Sequence, residues 1–324
     1  MTRRDFALLS AAAAAAPALA LPAEGLRGVN LVETSNAPFG GGTAAESFRR
    51  VASMGANTVA LIPFLWQSDA ASARIAMGDA LPLARLRAGI VQARAAGLRP
   101  IIKPHVWVPG SWAGAIAPQD GWPIWFAHYG AHLIALARLA QDERIDELIV
   151  GTEIAGASRQ PDWAPLIAQV RQTFTGRLTY IAHGAEEVER FAHWPLLDRV
   201  GASLYPPLAG DTAQRSHVMD ATLARVAKVA RGAGKPVLIG EIGLRSAHGA
   251  AVKPWESAEE RYAAPDGALQ AAVIGEWLDA AARAGIADLL IWRWFSDPRG
   301  GGAADTDFTI QNKPAELLVA TSWR

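Results

Sequence analysis

The sequence predicts a (β/α)8 barrel, that is, a single α/β domain in which eight parallel strands alternate with helices. Short β-branched and aliphatic runs recur along the chain, and amphipathic stretches rich in alanine and arginine separate them. Near-continuous apolar runs of about six residues are typical of parallel strands that are buried on both faces. Eight such strand–helix units in one chain are the pattern of the closed barrel.

The predicted strands are spaced so that a helix fits between neighbours. They are, in chain order, Leu26–Leu31, Thr58–Pro63, Arg99–His105, Glu147–Glu153, Leu178–His183, Arg199–Tyr205, Val237–Glu241 and Leu289–Trp294. The clearest helical stretches are Ala84–Ala96, Ala127–Leu139, Trp163–Phe174, Ala221–Ala233 and Gln270–Ala284. Glycines mark where four helices should end before a strand, at Gly55, Gly97, Gly234 and Gly285. A doubly wound sheet is the alternative, but no GxGxxG motif follows the first strand.

Composition excludes several classes of protein. Of the 324 residues, 51% are hydrophobic and 19% charged, which gives too much apolar surface for a disordered chain. The 31 basic and 31 acidic residues cancel, so nothing indicates a nucleic-acid partner. The absence of cysteine excludes disulfides, thiolate metal sites and cysteine nucleophiles.

The first 20 residues have the pattern of a secretory signal. Arg3 and Arg4 precede a short apolar run, and Ala18-Leu19-Ala20 forms a small-x-small cleavage site. Paired arginines favour the twin-arginine type of signal. The apolar run is shorter than the ~20 residues that span a bilayer, which disfavours a membrane anchor. We therefore expect a signal peptide over residues 1–20, a catalytic domain over residues 21–324, and a periplasmic or secreted protein that makes no membrane contact after signal cleavage.

Two glutamates stand at the predicted carboxyl ends of strands four and seven, where the active sites of such barrels lie. Glu153 and Glu241 each follow an apolar strand directly. Strands four and seven lie across the barrel mouth from each other, so the two carboxylates can face one another. Facing carboxylates suit glycoside hydrolysis, in which one protonates the leaving oxygen and the other attacks the anomeric carbon or activates water. The alternative is that each glutamate is a structural ion-pair member.

Several motifs resemble those of glycoside hydrolase family 113. The segments are KPHVW, VGTEI, LTYIA and GKPVLIGEIGLRS, followed by Pro254-Trp255. The resemblance implies a retaining (β/α)8 enzyme that acts mostly on β-1,4-mannan. It also implies that Glu153 is the acid/base, that Glu241 is the nucleophile and that Tyr205 hydrogen-bonds the nucleophile.

The chain departs from the pattern of related glycosidases in its sugar-binding positions. Thr152 stands where such enzymes usually have asparagine before the acid/base, and is a candidate partner of the sugar 2-hydroxyl. The fifth strand ends in AHGAEE, where the family often has an asparagine and a tryptophan, and the sixth reads GASLYPP. These changes leave both carboxylates in place.

Aromatic and polar residues at the strand ends are candidate sugar ligands. The chain has 12 tryptophans and 4 tyrosines, and indole can stack on the apolar face of a pyranose while its N–H donates a hydrogen bond. Lys103 and His105 lie two residues apart on strand three, so both side chains should point to the same face, toward the mouth. There they bind substrate or pair with a nearby acid. The predicted substrate-binding residues are Trp66, Lys103, His105, Trp107, Thr152, His183, Trp255, Trp292 and Trp294. Core packing is the alternative for the tryptophans, and we expect it for Trp125, Trp163 and Trp277.

The sequence therefore predicts a retaining glycoside hydrolase that cleaves β-1,4-linked, mannose-containing polysaccharide or oligosaccharide. The alternatives are another retaining β-glycosidase that acts on gluco-configured chains, and a catalytically silent periplasmic barrel that binds carbohydrate. We expect a monomer whose partner is its carbohydrate substrate, with no metal and no organic cofactor. His128 and His132 lie four residues apart but lack the HExxH glutamate of a zinc site.

The paired arginines generate a prediction about export. Replacing both with lysine (Arg3→Lys and Arg4→Lys) should leave unprocessed precursor in the cytoplasm, because the twin-arginine route requires them. Cell fractionation with detection of the precursor and mature chains measures this. Normal processing and export of the double variant would indicate the general secretory route instead.

Overall fold

The computed structural model describes residues 25–78 and 82–324, and its centre is a closed barrel of eight parallel strands. The predicted signal over residues 1–20 lies outside this range. The barrel strands are β1 (Arg27–Val32), β2 (Thr58–Leu61), β3 (Arg99–Ile102), β4 (Glu147–Thr152), β5 (Arg177–His183), β6 (Arg199–Leu204), β7 (Val237–Ile242) and β8 (Leu289–Phe295). Each strand pairs with its neighbour in chain order, and β8 closes the barrel against β1. The predicted fold class is confirmed.

A helix follows every barrel strand and covers the outside of the barrel. The helices are α1 (Gly42–Ser53), α2 (Leu83–Ala95), α3 (Trp122–Asp142), α4 (Trp163–Thr173), α5 (Gly184–Arg190), α6 (Thr212–Ala233), α7 (Gly267–Arg283) and α8 (Pro314–Ser322). Short 3₁₀ turns lie at Ala113–Ala115, Ala155–Ala157, Trp194–Leu196 and Ala250–Val252. Gly234 ends α6 in the left-handed conformation that glycine adopts without strain, with φ 65°. Within the described residues, every helix is too short or too polar to cross a membrane.

Strands two and three end earlier than predicted. Pro63 and Pro104 lack the N–H that would continue the ladder, so β2 ends at Leu61 and β3 at Ile102. Beyond the prolines, Phe64–Trp66 pairs with His105–Trp107 on one side and with Ala76–Met77 on the other, which gives a separate three-stranded sheet. The chain therefore extends the barrel wall on one side, and this extension carries Trp66 and Trp107.

Two apolar layers hold the barrel together. Side chains that point inward fill its lower interior, and those that point outward pack against the helices. Trp125, Trp163 and Trp277 are fully buried in the outer layer, which confirms the predicted core role of the helical tryptophans. Polar groups lie at both ends of the strands: Glu147, Thr179 and Arg199 form a buried network near the amino ends, and a second polar set lies at the carboxyl ends.

Candidate active site

Glu153 follows directly after β4 in an unusual backbone conformation. Its φ is 56°, in the left-handed region that residues other than glycine seldom adopt. Val150 is an extra residue in the pairing of β4 with β5, because Ile149 pairs with Thr179 and Gly151 with Tyr180. Such bulges bend a strand and re-aim the side chains beyond them. Strained backbone of this kind clusters at functional sites.

The Glu153 carboxylate is held by two side chains from neighbouring strands. Ser203 on β6 donates its hydroxyl to Oε1, and His183 Nδ1 lies 3.0 Å from the same oxygen. Burial alone would lower the pKa of His183, but its hydrogen bond to Glu153 and the charge of that carboxylate outweigh burial and raise it. The side chain of Glu153 remains 19% exposed. It is therefore anchored through one oxygen while part of it faces the mouth.

Glu241 has a more enclosed environment. It lies on β7 after an extra residue, Gly240, and is 3% exposed. Lys103 donates to Oε1, His105 Nε2 lies 3.1 Å from Oε1, and the Tyr205 hydroxyl donates to Oε2 at 3.0 Å. Burial alone would raise the pKa of Glu241, but the cationic Lys103 and the contact with His105 lower it to about 2. The carboxylate is therefore ionised at any physiological pH.

Lys103 and His105 face the mouth together, as the alternation predicts. Lys103 Nζ lies 2.6 Å from His105 Nε2, and the His105 ring stacks on Trp292 at a centroid distance of 5.1 Å. Burial and the charge of Lys103 lower the pKa of His105, which favours the neutral imidazole. The sequence left open whether these two residues bind substrate or pair with a nearby acid, and in the structure both contact the acid Glu241. Both residues therefore contact the proposed nucleophile in this structure.

Four of the remaining predicted ligands lie at the end of a barrel strand or in the segment that follows one. Trp66 and Trp107 project from the three-stranded sheet with ring centroids 6.1 Å apart and with 41% and 48% of their surface exposed. Trp255 is about half exposed, on the loop after β7. Thr152 is buried, and its hydroxyl has no hydrogen-bond partner among the described residues.

The predicted role of Trp294 in substrate contact is wrong. Its side chain is fully buried on the helix side of the sheet, where Nε1 donates to Ser47 Oγ on α1 at 2.7 Å. Asn30 pairs with Trp292 and Leu31 with Trp294, so Arg293 is an extra residue in β8. This bulge reverses the alternation, and Trp292 and Trp294 point to opposite faces although they lie two residues apart.

Sequence reasoning missed Ser203 and the importance of Trp112. Ser203 lies two residues before Tyr205, so strand alternation could have placed both hydroxyls on the inward face of β6. In the structure, Ser203 on β6 and Tyr205 directly after it supply one hydroxyl to each carboxylate. Trp112 lies against His183, with ring centroids 4.6 Å apart and 43% of its surface exposed. Nothing in its spacing predicts this contact, because it depends on the path of the loop after β3.

Two carboxylates at the carboxyl ends of β4 and β7, one held ionised and one anchored but partly exposed, define a glycosidase of the (β/α)8 class. Within residues 25–78 and 82–324, no three histidine or acidic side chains gather as a metal site would require.

The chain belongs to Glycoside Hydrolase Family 113, whose model matches residues 32–313. It is similar to the β-mannanase AaManA of that family from Alicyclobacillus acidocaldarius, with 24% identity, a TM-score of 0.81, and coverage of 92% of this chain and 96% of that one. Another β-1,4-mannanase of the family has 24% identity, a TM-score of 0.83 and coverage of 93% and 99%. A family 5 mannosidase from Rhizomucor miehei shares the fold at 10% identity and a TM-score of 0.63, with 92% of each chain covered. Comparison with curated protein sequences found no match.

Removing the Lys103 charge should shift the acid limb of the pH profile. In Lys103→Met, burial is no longer offset by the cation, so the pKa of Glu241 should rise by at least about 1 unit. The carboxylate must be ionised to attack. As the pH is lowered, kcat/KM of the variant should therefore begin to decrease at a higher pH than kcat/KM of the wild type. The wild-type limb, set by a pKa of about 2, lies below the range of about pH 3 to 8 in which the profile is measured, so the test is whether a limb enters this range in Lys103→Met. Lys228→Met, an exposed change on α6, is the control, and an acid limb that does not move in Lys103→Met contradicts the assignment.

Trp294 and Trp107 should respond differently to substitution. Trp294→Phe loses the bond to Ser47 and part of the core packing, so it should lower the free energy of unfolding by about 1–3 kcal/mol and leave KM unchanged. Trp107→Ala should leave stability nearly unchanged and raise KM for a β-linked oligosaccharide about 3- to 10-fold, through lost stacking. Urea unfolding and steady-state kinetics of both variants measure this. An altered KM in a stable Trp294→Phe variant would contradict the buried structural role and indicate that Trp294 contacts substrate.

Proposed function

We propose that the protein is a retaining glycoside hydrolase that cleaves β-1,4-linked mannose-containing polysaccharide or oligosaccharide. The observation that carries this proposal is the ionised Glu241, held by Lys103, His105 and Tyr205 in the same mouth as Glu153. A buried carboxylate that stays charged is prepared for nucleophilic attack. The mannan substrate is supported by the family and by the β-mannanases that the fold resembles.

In the first half-reaction, a Glu241 oxygen attacks the anomeric carbon and the glycosidic C–O bond breaks. Glu153 transfers its proton to the departing sugar oxygen, which leaves as a hydroxyl. Lys103 and the Tyr205 hydroxyl hold Glu241 in place. The products are a glycosyl ester on Glu241, an ionised Glu153 and the shortened chain.

In the second half-reaction, ionised Glu153 removes a proton from water, and the water oxygen attacks the same anomeric carbon. The ester bond to Glu241 breaks, and the carboxylate returns to its cationic partner. Two displacements at one carbon give net retention of the β configuration. His183 can stabilise the ionised form of Glu153, because its own pKa is raised by that carboxylate.

The cellular location belongs to the same proposal. The twin-arginine-type pattern at Arg3 and Arg4 supports a periplasmic or secreted enzyme that meets polysaccharide outside the cytoplasm. An active protein that is retained in the cytoplasm under native expression would contradict this part alone.

The two glutamates should fail in different ways. Glu241→Ala should abolish turnover of every substrate, because no glycosyl ester can form. Glu153→Ala should still react with an activated aryl β-mannoside or β-mannobioside, giving a burst and then slow turnover, since a good leaving group needs no proton. Azide should accelerate the slow step and yield a β-glycosyl azide.

NMR of the first product formed by the wild type gives its configuration, and matched manno- and gluco-configured oligosaccharides give the sugar preference. An inverted product, or identical behaviour of the two alanine variants, would overturn the assigned roles. Preference for gluco-configured chains would overturn the substrate and leave the mechanism standing.

A further inference from the structure

A buried carboxylate, Glu187, lies on the helix side of the barrel beneath the Glu153 site. It belongs to α5, is fully buried, and forms no ion pair among the described residues. Burial raises its pKa. A buried acid without a cation is costly unless hydrogen bonds satisfy it, so its presence calls for a physical reason.

Three donors converge on the two oxygens of Glu187. The backbone N–H of His183 donates to Oε2 at 2.5 Å, the Tyr180 hydroxyl donates to Oε1 at 2.7 Å, and the Ser158 hydroxyl lies 2.6 Å from Oε1. Tyr180 is itself occupied as an acceptor, because the backbone N–H of Ile154 donates to its oxygen at 2.9 Å. Glu187 therefore connects β5 to the segment that follows Glu153.

Each of these three contacts involves a residue that either lies in the segment after Glu153 or touches its carboxylate. Ile154 is the next residue along the chain, and its N–H is held through Tyr180. Ser158 lies at the end of the 3₁₀ turn that follows, and its hydroxyl is also 2.8 Å from the carbonyl oxygen of Ala155. His183 carries the imidazole that contacts the Glu153 carboxylate. Glu153 itself is in a left-handed conformation, which persists only when the surrounding structure imposes it.

We propose that Glu187 is a positioning residue for the acid/base Glu153, and that it acts through Tyr180 and the His183 backbone without touching substrate. This inference rests on the proposed function, since it presupposes that Glu153 transfers the proton. It concerns a residue that belongs to the AHGAEE segment, where the chain departs from the family pattern.

An amide at position 187 cannot replace the carboxylate in this network. Its NH₂ group would face either the His183 N–H or the Tyr180 O–H, and both of these need an acceptor. One donor is then left unsatisfied, and the strand end or the Ile154 segment must move. A displacement of about 1 Å at a catalytic group can cost on the order of a hundredfold in rate.

The test is the dependence of rate on the leaving group in Glu187→Gln. Substrates are aryl β-mannobiosides whose phenols differ in acidity. With a poor leaving group, kcat/KM should fall about 10- to 100-fold, less than the about 10²- to 10⁴-fold loss from removing a general acid. With a highly activated phenol it should fall less than about threefold, because that bond breaks without a proton. A merely structural loss of active protein would lower both rates by the same factor.

Two further variants complete the design. Glu189→Gln changes an exposed glutamate of the same helix that pairs with Arg225, and it should match the wild type on both substrates. Tyr180→Phe removes the hydroxyl link and keeps the ring stacked on Phe191 at 4.2 Å, so it should reproduce the selective loss if Glu187→Gln does not fold. Thermal unfolding of each variant gives the folded fraction.

Equal losses on both substrates, or wild-type rates in folded Glu187→Gln or Tyr180→Phe, would overturn the positioning role. Glu153→Ala, measured on the same substrates, separates this failure from that of the proposed function. If Glu153→Ala shows no leaving-group selectivity, the acid/base assignment itself fails. If it does show selectivity and Glu187→Gln does not, only the inference about Glu187 is wrong.

Discussion

The buried pair of Lys103 and Glu241 is the interaction on which the rest of the site depends. Both side chains are almost completely removed from water, and two desolvated charges cost several kcal/mol each before their attraction offsets it. The pair can form only because the closed barrel brings the ends of β3 and β7 to one mouth. Apolar residues of similar volume would often stabilise such a core at least as well, so function is the better reason for keeping the charges.

The environments of the two carboxylates divide the chemistry between them. Glu241 is enclosed by a cation, an imidazole and a phenol, which favour a permanent negative charge. Glu153 has a hydroxyl and a histidine on one oxygen and keeps some exposure to the mouth. Different surroundings for two residues of the same type are how enzymes obtain an acid and a nucleophile from two carboxyl groups. The carboxyl end of β6 serves both, since Ser203 on the strand contacts Glu153 and Tyr205 directly after it contacts Glu241.

Apolar periodicity predicted the barrel because eight buried runs leave few other folds, but it extended β2 and β3 beyond their observed ends at Leu61 and Ile102. The same logic placed Glu153 and Glu241 at β4 and β7, and alternation placed Lys103 beside His105. Periodicity could not locate bulges, since an extra residue is invisible in a pattern of apolar letters. The bulge at Arg293 is why alternation places Trp294 at the mouth incorrectly. The roles of Ser158, Tyr180 and Glu187 are not predictable from the sequence for a different reason. Their contacts join segments whose approach depends on the fold.

The strand irregularities lie at the residues that the chemistry uses. Val150 precedes Glu153, Gly240 precedes Glu241, and Arg293 follows Trp292, which stacks on His105. In a regular strand, side chains alternate strictly between the helix-facing side and the barrel interior, wherever the sugar ring must lie. Each bulge gives up some ladder regularity to change that direction. The change persists only because buried contacts hold the bent segment, and behind Glu153 those contacts converge on Glu187.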